Sequence, residues 1–296
     1  MKILDIREGF GRKLFNAVNI VFLILISLTA VYPMIYVLFA SLSMPADLMS
    51  HQGFLYRPLG FQLEGYKMVF KNPLVISGYL NSIFIVVVGV ALNMFLTLLG
   101  AYFLSRKGVG LRNVIMVFIV FTMYFNGGLI PIYLNIKDLG LRNSLFSVIF
   151  PAAVSTFNMM IMRTAFITIP DSMEESARID GARHWTILFR IMTPLAKSTV
   201  AVLILYYGVQ HWNSWFNASL FITSRKLYPL QLILREILIQ NQTLDMAAGI
   251  NNSEQDAVGE VIKYGVIIVA TVPILAIYPF LQKYFTKGVM IGALKE

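Results

Sequence analysis

YLNSIFIVVVGVALNMFLTLLGAYFL, residues 79–104, runs without a single Asp, Glu, Lys or Arg. A helix needs about 20 predominantly apolar residues to cross the hydrocarbon core of a bilayer, so this stretch reads as a membrane-spanning helix. Outward from it, comparable runs occur at 17–42, 114–133, 144–167, 198–222 and 261–284. Composition agrees. Of 296 residues, 57% are hydrophobic and 13% charged, against about 25% charged in ordinary soluble domains, and the mean hydropathy is +0.71. The expected fold is all-α: a polytopic membrane protein with six transmembrane helices, a single domain over 1–296 with its core at 79–285.

The first run follows Lys2, Arg7, Arg12 and Lys13. It resembles a signal peptide, but it is too long and lacks a small-residue cleavage site, so it is read as a retained anchor. Six spans place both termini on one side. That side also collects Arg106, Lys107, Arg112, Arg178, Arg183, Arg190, Lys197, Lys283, Lys287 and Lys295, and the positive-inside rule makes it the cytoplasm. The other side carries Arg57, Lys67, Lys71, Lys137, Arg142, Arg225, Lys226 and Arg235, spread over longer connections that include two external loops, 43–77 and 223–260. The net charge of +9 forms no continuous stripe, which points to a membrane surface and lipid contact rather than nucleic acid. The absence of cysteine excludes disulfides and thiolate metal sites, and His51, His184 and His211 are too dispersed for a metal motif.

Between the fourth and fifth runs lies an amphipathic segment, 168–197. Pro170-Asp171-Ser172-Met173-Glu174-Glu175 carries acidic residues and a Ser-x-x-Glu capping box, Ser172 with Glu175, which predicts a helix beginning near Ser172. Gly181 can turn left-handed without steric cost and ends it. Trp185, Leu188, Phe189 and Met192 then recur at helical spacing. The expectation is a cytoplasmic helix-turn-helix.

These residues carry a specific resemblance. Glu175-Ser176-Ala177, Gly181, Ile191 and Pro194 keep the spacing of the Glu-Ala-Ala coupling loop of ABC importer permeases, with Ser176 in place of an alanine and Thr193 in place of the leucine before proline. Ile179-Asp180-Gly181-Ala182 and the tail from Tyr278 to Phe285, running into Lys287-Gly288-Val289, are similar to the carbohydrate-uptake, maltose-type group. The resemblance implies the permease subunit of a binding-protein-dependent importer of a saccharide, with an oligosaccharide as the expected size class, in the bacterial inner membrane. Its implied partners are a second homologous permease subunit, two ATP-binding subunits that hold ATP and Mg, and an extracytoplasmic solute-binding protein; no cofactor is implied in this chain. Glu175, Ser176, Ala177, Asp180, Gly181 and Ala182 would form the element that docks in an ATPase cleft. By the same resemblance, 240–260 would face the binding protein and 287–296 the ATPase.

The residues themselves also point to an external motor. There is no Gly-x-x-x-x-Gly-Lys-Ser/Thr phosphate loop. No span has an Asp or Glu in its interior, where ion-driven carriers keep ionisable groups. Arg163 and Lys263 lie near span ends, and His211, deeper, reads as hydrogen-bonded packing. An ion-coupled carrier or channel is the alternative from another class, and an importer of a non-sugar solute the alternative within this one. No catalytic constellation stands out, so the chain is not expected to be an enzyme.

For the substrate path, aromatic rings beside amides suit sugars. Tyr124 and Asn126 belong to Tyr124-Phe125-Asn126-Gly127-Gly128, which with Pro131 should loosen the third span. Trp212, Asn213 and Asn217 repeat that chemistry on the fifth, with the two asparagines expected one helical turn apart. The same residue types also serve as interfacial aromatics and as interhelical glue. Pro273 and Pro279 suggest a kinked sixth span.

Overall fold

The computed structural model describes residues 9–247, 259–277 and 279. Regular structure among them is helical throughout, as hydrocarbon demands, because there each backbone N–H and C=O must be satisfied within the protein. In chain order the helices are α1 (Phe10–Ser41), α2 (Pro45–Ser50), α3 (Glu64–Lys71), α4 (Pro73–Ser105), α5 (Arg112–Tyr124), α6 (Leu129–Asp138) and α7 (Phe146–Ile149, continued by the 3-10 turn Phe150–Ala152). There follow α8 (Thr156–Ile167), α9 (Asp171–Ile179), α10 (His184–Leu195), α11 (Lys197–Trp212), α12 (Trp215–Phe221), α13 (Leu230–Ala247) and α14 (Gly259–Ile277). The described residues divide into two compact units: 9–71 with 238–247 and 259–269, and 72–237 with 270–277 and 279.

Among the described residues, α1, α4 and α14 are each long and apolar enough to cross a membrane, and three bent pairs are so when taken together. The third run, expected to loosen near Gly127 and Gly128, breaks outright. Helices α5 and α6 meet at 109°, Gly128 lies at φ +87°, and its N–H donates to Asn126 Oδ1 at 3.0 Å. The fourth bends by 52° between the Phe146–Ala152 stretch and α8, where Pro151 lacks the N–H a continuous helix would use. The fifth does not continue to residue 222 as one helix, because α11 ends at Trp212 and α12 restarts at Trp215. Asn213 and Asn217 therefore do not sit one turn apart on a common helix. By contrast α14 passes through Pro273 without a break, while 248–258 and the tail motif at 278 and 280–289 lie outside the described residues.

In the first unit, α1 turns large apolar side chains from Phe10 to Leu38 outward. Its last turn joins a small core of Ala40, Leu48, Leu55 and Val261.

The second unit is organised by α4. Pro73 opens it, and the Asn72 side chain accepts the Leu74 N–H at 3.0 Å, an N-cap followed by a proline that gives up no needed hydrogen bond. Ser82, Gly89, Asn93 and Thr97 recur at one- and two-turn spacings, so they line one face. All four are buried. Thr97 Oγ1 meets the Tyr207 hydroxyl at 2.7 Å, His211 Nε2 meets Asn93 Oδ1 at 2.6 Å, and Asn93 Nδ2 donates to the Ala152 carbonyl. Around this seam Met94, Leu98 and Ala101 pack with Met159, Met162, Phe166, Leu188, Met192 and Leu203. Small and polar residues at a helix interface allow close approach and add hydrogen bonds where lipid cannot. His211 is thus hydrogen-bonded packing, as its sequence context implied.

Candidate functional site

Helix α9 begins at Asp171 with Pro170 at the N-cap and no side-chain cap. The expected Ser172–Glu175 capping box is therefore not formed: Ser172 lies inside the helix, beyond the position from which a hydroxyl reaches the first free N–H groups. The helix is held by other carboxylates. Lys107 Nζ donates to Asp171 Oδ2 at 2.6 Å on the surface. Beneath it, Glu174 is buried, accepting from Arg106 Nη1 through one oxygen and from Arg178 Nη2, at 2.6 Å, through the other.

Arg106 caps the end of α4. Its Nε donates to Ser105 Oγ at 3.0 Å, its Nη2 approaches the Phe166 carbonyl at 3.4 Å, and its guanidinium lies 5.3 Å from the Tyr102 ring centre. Burial pushes the Glu174 carboxyl upward, but hydrogen bonds and charge from Arg106 and Arg178 outweigh it and hold the group below the usual carboxylate range. The Lys107 ammonium likewise lowers Asp171.

The turn after α9 is built by Gly181. Its φ is +79°, its N–H bonds to Arg178 O at 3.0 Å, and the Ala182 N–H bonds to Ala177 O at 2.9 Å. That pair of bonds defines a Schellman cap, with glycine in the left-handed position. The chain then enters α10, where His184 Nδ1 lies 3.0 Å from the Tyr102 hydroxyl. Residues Ile187–Met192 of α10 form a π-helical turn. Pro194 follows it and supplies no N–H, and the Thr193 hydroxyl donates to the Leu188 carbonyl at 2.8 Å. Leu188 and Met192 face the core, while Trp185 and Phe189 stack on each other and on Phe95.

The last turn of α4 therefore grips both arms of the helix-turn-helix. Arg163 Nε adds a bond to Leu104 O at 3.0 Å, bringing in α8. Of the six residues expected to dock, Glu175, Ser176, Asp180 and Gly181 are exposed, beside Ile179 at 86% exposure. Ala182 is half-buried and Ala177 belongs to the core, so Ala177 supports this face from behind rather than presenting itself. The residue missed by sequence reasoning is Glu174. A usable signal was its position three residues before the small, inward Ala177 and four before Arg178, which places all three along one side of a helix.

The path residues are dispersed. Tyr124 is exposed, and Asn126 is engaged with Gly128. Asn213 donates to Val209 O at 2.9 Å. Trp212 is buried, donates its indole N–H to Ala270 O at 3.2 Å, and lies 6.1 Å from Tyr79 between ring centres. Among the described residues no hydrogen bond or ring contact joins Tyr124 or Asn126 to Asn213 or Asn217. Trp212 and Tyr79 line a cavity of about 670 Å³ whose other walls include Val87, Val90, Met94, Ile204 and Ile274. Saccharide hydroxyls would find almost no hydrogen-bond partner there.

No protein-family model matches the chain. It is 38% identical over 288 residues to the polygalacturonan/rhamnogalacturonan transport system permease protein YtcP of Bacillus subtilis (strain 168), covering 96% of this chain and 99% of that one. To Protein LplC of the same organism it is 39% identical over 285 residues, covering 96% and 95%. Among solved structures it matches, with a TM-score of 0.85 and 32% identity over 94% of this chain and 99% of the other, a chain of a bacterial ABC transporter involved in the import of the acidic polysaccharide alginate.

Proposed function

The chain belongs to the family of sugar ABC transport system permeases, and on that premise we propose that it is one half of a transmembrane path for an acidic oligosaccharide, driven by ATP hydrolysis in separate subunits. It acts as a single permease domain, with both termini on the cytoplasmic side of a bacterial inner membrane. A second permease completes the path. Two ATP-binding subunits hold ATP and Mg, and an extracytoplasmic binding protein delivers the substrate.

The observation that carries the coupling part is the two-sidedness of α9. Its inner face is ion-paired to α4 through Glu174, and its outer rim presents Glu175, Ser176 and Asp180 beside the exposed Gly181 turn. A rigid element with a free polar rim can receive a rigid-body push from a partner. Glu175, Ser176, Asp180, Gly181 and Ala182 form this rim, with Ala177 as its support. If no ATPase subunit co-purifies with the chain when the neighbouring transport genes are co-expressed, the coupling reading fails.

Two features favour an acidic sugar. Two of the three relatives above are described by acidic polysaccharides, polygalacturonan or rhamnogalacturonan in one and alginate in the other. Cations on segments read as external also stand over aromatic rings: the Arg235 guanidinium is 3.7 Å from the Trp215 ring centre, and that of Arg142 is 5.9 Å from the Tyr133 ring centre. A ring offers a sugar C–H face a stacking surface while a nearby guanidinium suits its carboxylate. In proteoliposomes, short oligogalacturonates bound to the cognate binding protein are expected to stimulate ATP hydrolysis where neutral oligosaccharides of the same length do not. The reverse order would remove the acidic assignment.

Tyr124, Asn126, Asn213 and Asn217 are the proposed path contacts, with Trp212 limited to its ring because its N–H is taken. Asn213→Ala or Asn217→Ala is expected to cut uptake at limiting substrate about fivefold, the scale of one lost hydrogen bond. Uptake unchanged in both would take the two asparagines out of the path.

A further inference from the structure

Two sets of contacts hold the opposite ends of α4, and the reading above does not say what they do together. One is the Glu174 carboxylate between Arg106 and Arg178. Such a buried ion pair is a poor source of net stability, because desolvating Glu174 and Arg106 offsets most of their attraction. What it does supply is orientation: Arg106 reaches from the end of α4 to one oxygen, while Arg178, one turn further along α9, holds the other and so fixes the carboxylate that ties α9 to α4.

The other set lies near the start of α4. Asn81 Nδ2 donates to the carbonyls of Lys226 and Tyr228 at 2.8 and 3.1 Å, and Ser82 Oγ accepts the Leu230 N–H at 2.8 Å in a buried setting. The backbone of Leu230 also packs so closely on Gly78 that a Cβ added there would lie 3.1 Å from its Cα. The turn that launches α13 is thus bonded to α4 through its backbone.

Between these ends α4 is one unbroken helix of 33 residues, about 37 Å from Asn81 to Arg106 at 1.5 Å per residue. Among the described residues it is the only unbroken span lying wholly within the second unit. Its neighbours in that unit are bent pairs, which can absorb a displacement at their breaks.

We propose that Glu174 is a positioning residue that makes α9 and α4 one rigid strut, so that a displacement of α9 is delivered along α4 to the Lys226–Leu230 turn held by Asn81 and Ser82. The strut carries signals both ways: a displacement of the Lys226–Leu230 turn shifts the coupling rim, and ATP-driven movement of the rim shifts that turn. The proposal rests on the coupling reading and adds the route the stroke takes.

The test uses the complete importer in proteoliposomes, this chain with its partner permease, ATPase subunits and binding protein. Glu174→Gln removes the charge while keeping the shape, Asn81→Ala with Ser82→Ala frees the far end, and a third variant combines all three changes. Stimulation of hydrolysis by substrate-loaded binding protein is expected to fall about tenfold in each of the first two, within the usual range of coupling between distant sites. The combined variant is expected to lose no more than the worse of them, because both cut the same strut, whereas independent effects would multiply. Glu174→Asp, which keeps the charge, should retain most of the stimulation. Full stimulation in Glu174→Gln, multiplied losses in the combined variant, or a Glu174→Gln chain that no longer accumulates in the membrane would each overturn the strut, the last by making Glu174 a folding residue. Native protein that shows no stimulation at all would instead fail the coupling reading beneath it.

Discussion

Gly181→Val is expected to uncouple the importer while leaving the spans in place. The position has open space around it, with no atom within 4 Å of where a Cβ would stand, so the penalty is purely one of backbone conformation. At φ +79° an L-residue is disfavoured by about 1–2 kcal/mol, and a β-branched one fares worse. The turn relieves that strain by leaving the left-handed region. Doing so gives up the two bonds that close α9, Gly181 N–H to Arg178 O and Ala182 N–H to Ala177 O, and swings α9 relative to α10. Binding-protein-stimulated hydrolysis should drop by about tenfold or more, whereas Gly181→Asn, whose side chain tolerates left-handed backbone, should keep most of it. Equal activity in native and valine proteins would mean that the angle of this turn does not matter.

Gly89→Val is expected to act at the opposite level, on folding. A Cβ at Gly89 would lie 2.5 Å from His211 Nε2 and 2.7 Å from two ring carbons, and an imidazole ring cannot fold away as the tip of a methionine can. Overpacking of this kind costs about 1–3 kcal/mol. Expelling His211 also breaks its bond to Asn93, leaving a buried amide oxygen short of a partner, for about 1–3 kcal/mol more. Against a total stability of about 5–15 kcal/mol, the variant should accumulate poorly in membranes and lose assembly with its partner on mild heating in detergent. Combining it with His211→Ala, which empties the space, should recover part of the loss. A Gly89→Val protein as abundant and heat-resistant as native would show that α4 and α11 can separate without penalty.

The membrane class, the approximate places of the apolar runs and the helix-turn-helix around Gly181 were legible because they depend on local composition and on residues close together in the chain. Gly127, Gly128 and Pro131 likewise announced where the third span weakens. The 109° between its halves was not legible, since Gly-Gly permits many angles and the packing of α6 against α12 selects one. Pairing Asn213 with Asn217 failed for a similar reason: nothing in the local spacing revealed a helix restart at Trp215. Glu174 and Glu175 show the limit most clearly. They are adjacent and chemically identical, and the capping-box rule gave the structural part to Glu175. The phase of α9 was decided instead by Arg106, 68 residues earlier in the chain, and by Ala177 entering the core. Distant partners of that kind leave no mark on a local pattern.

The wide turn at Ile187–Met192 sets the angular bookkeeping of the loop. A π-turn holds one residue more than the α-helical path it replaces, and each α-helical residue advances the chain by 1.5 Å and about 100°. Deleting one residue from this stretch would close the turn to ordinary α geometry. Keeping that residue but winding it into ordinary α-helix would instead rotate everything before it, Gly181 and the rim included, by about 100° relative to α11. The wide turn thus takes up the surplus residue and preserves the direction in which the rim points.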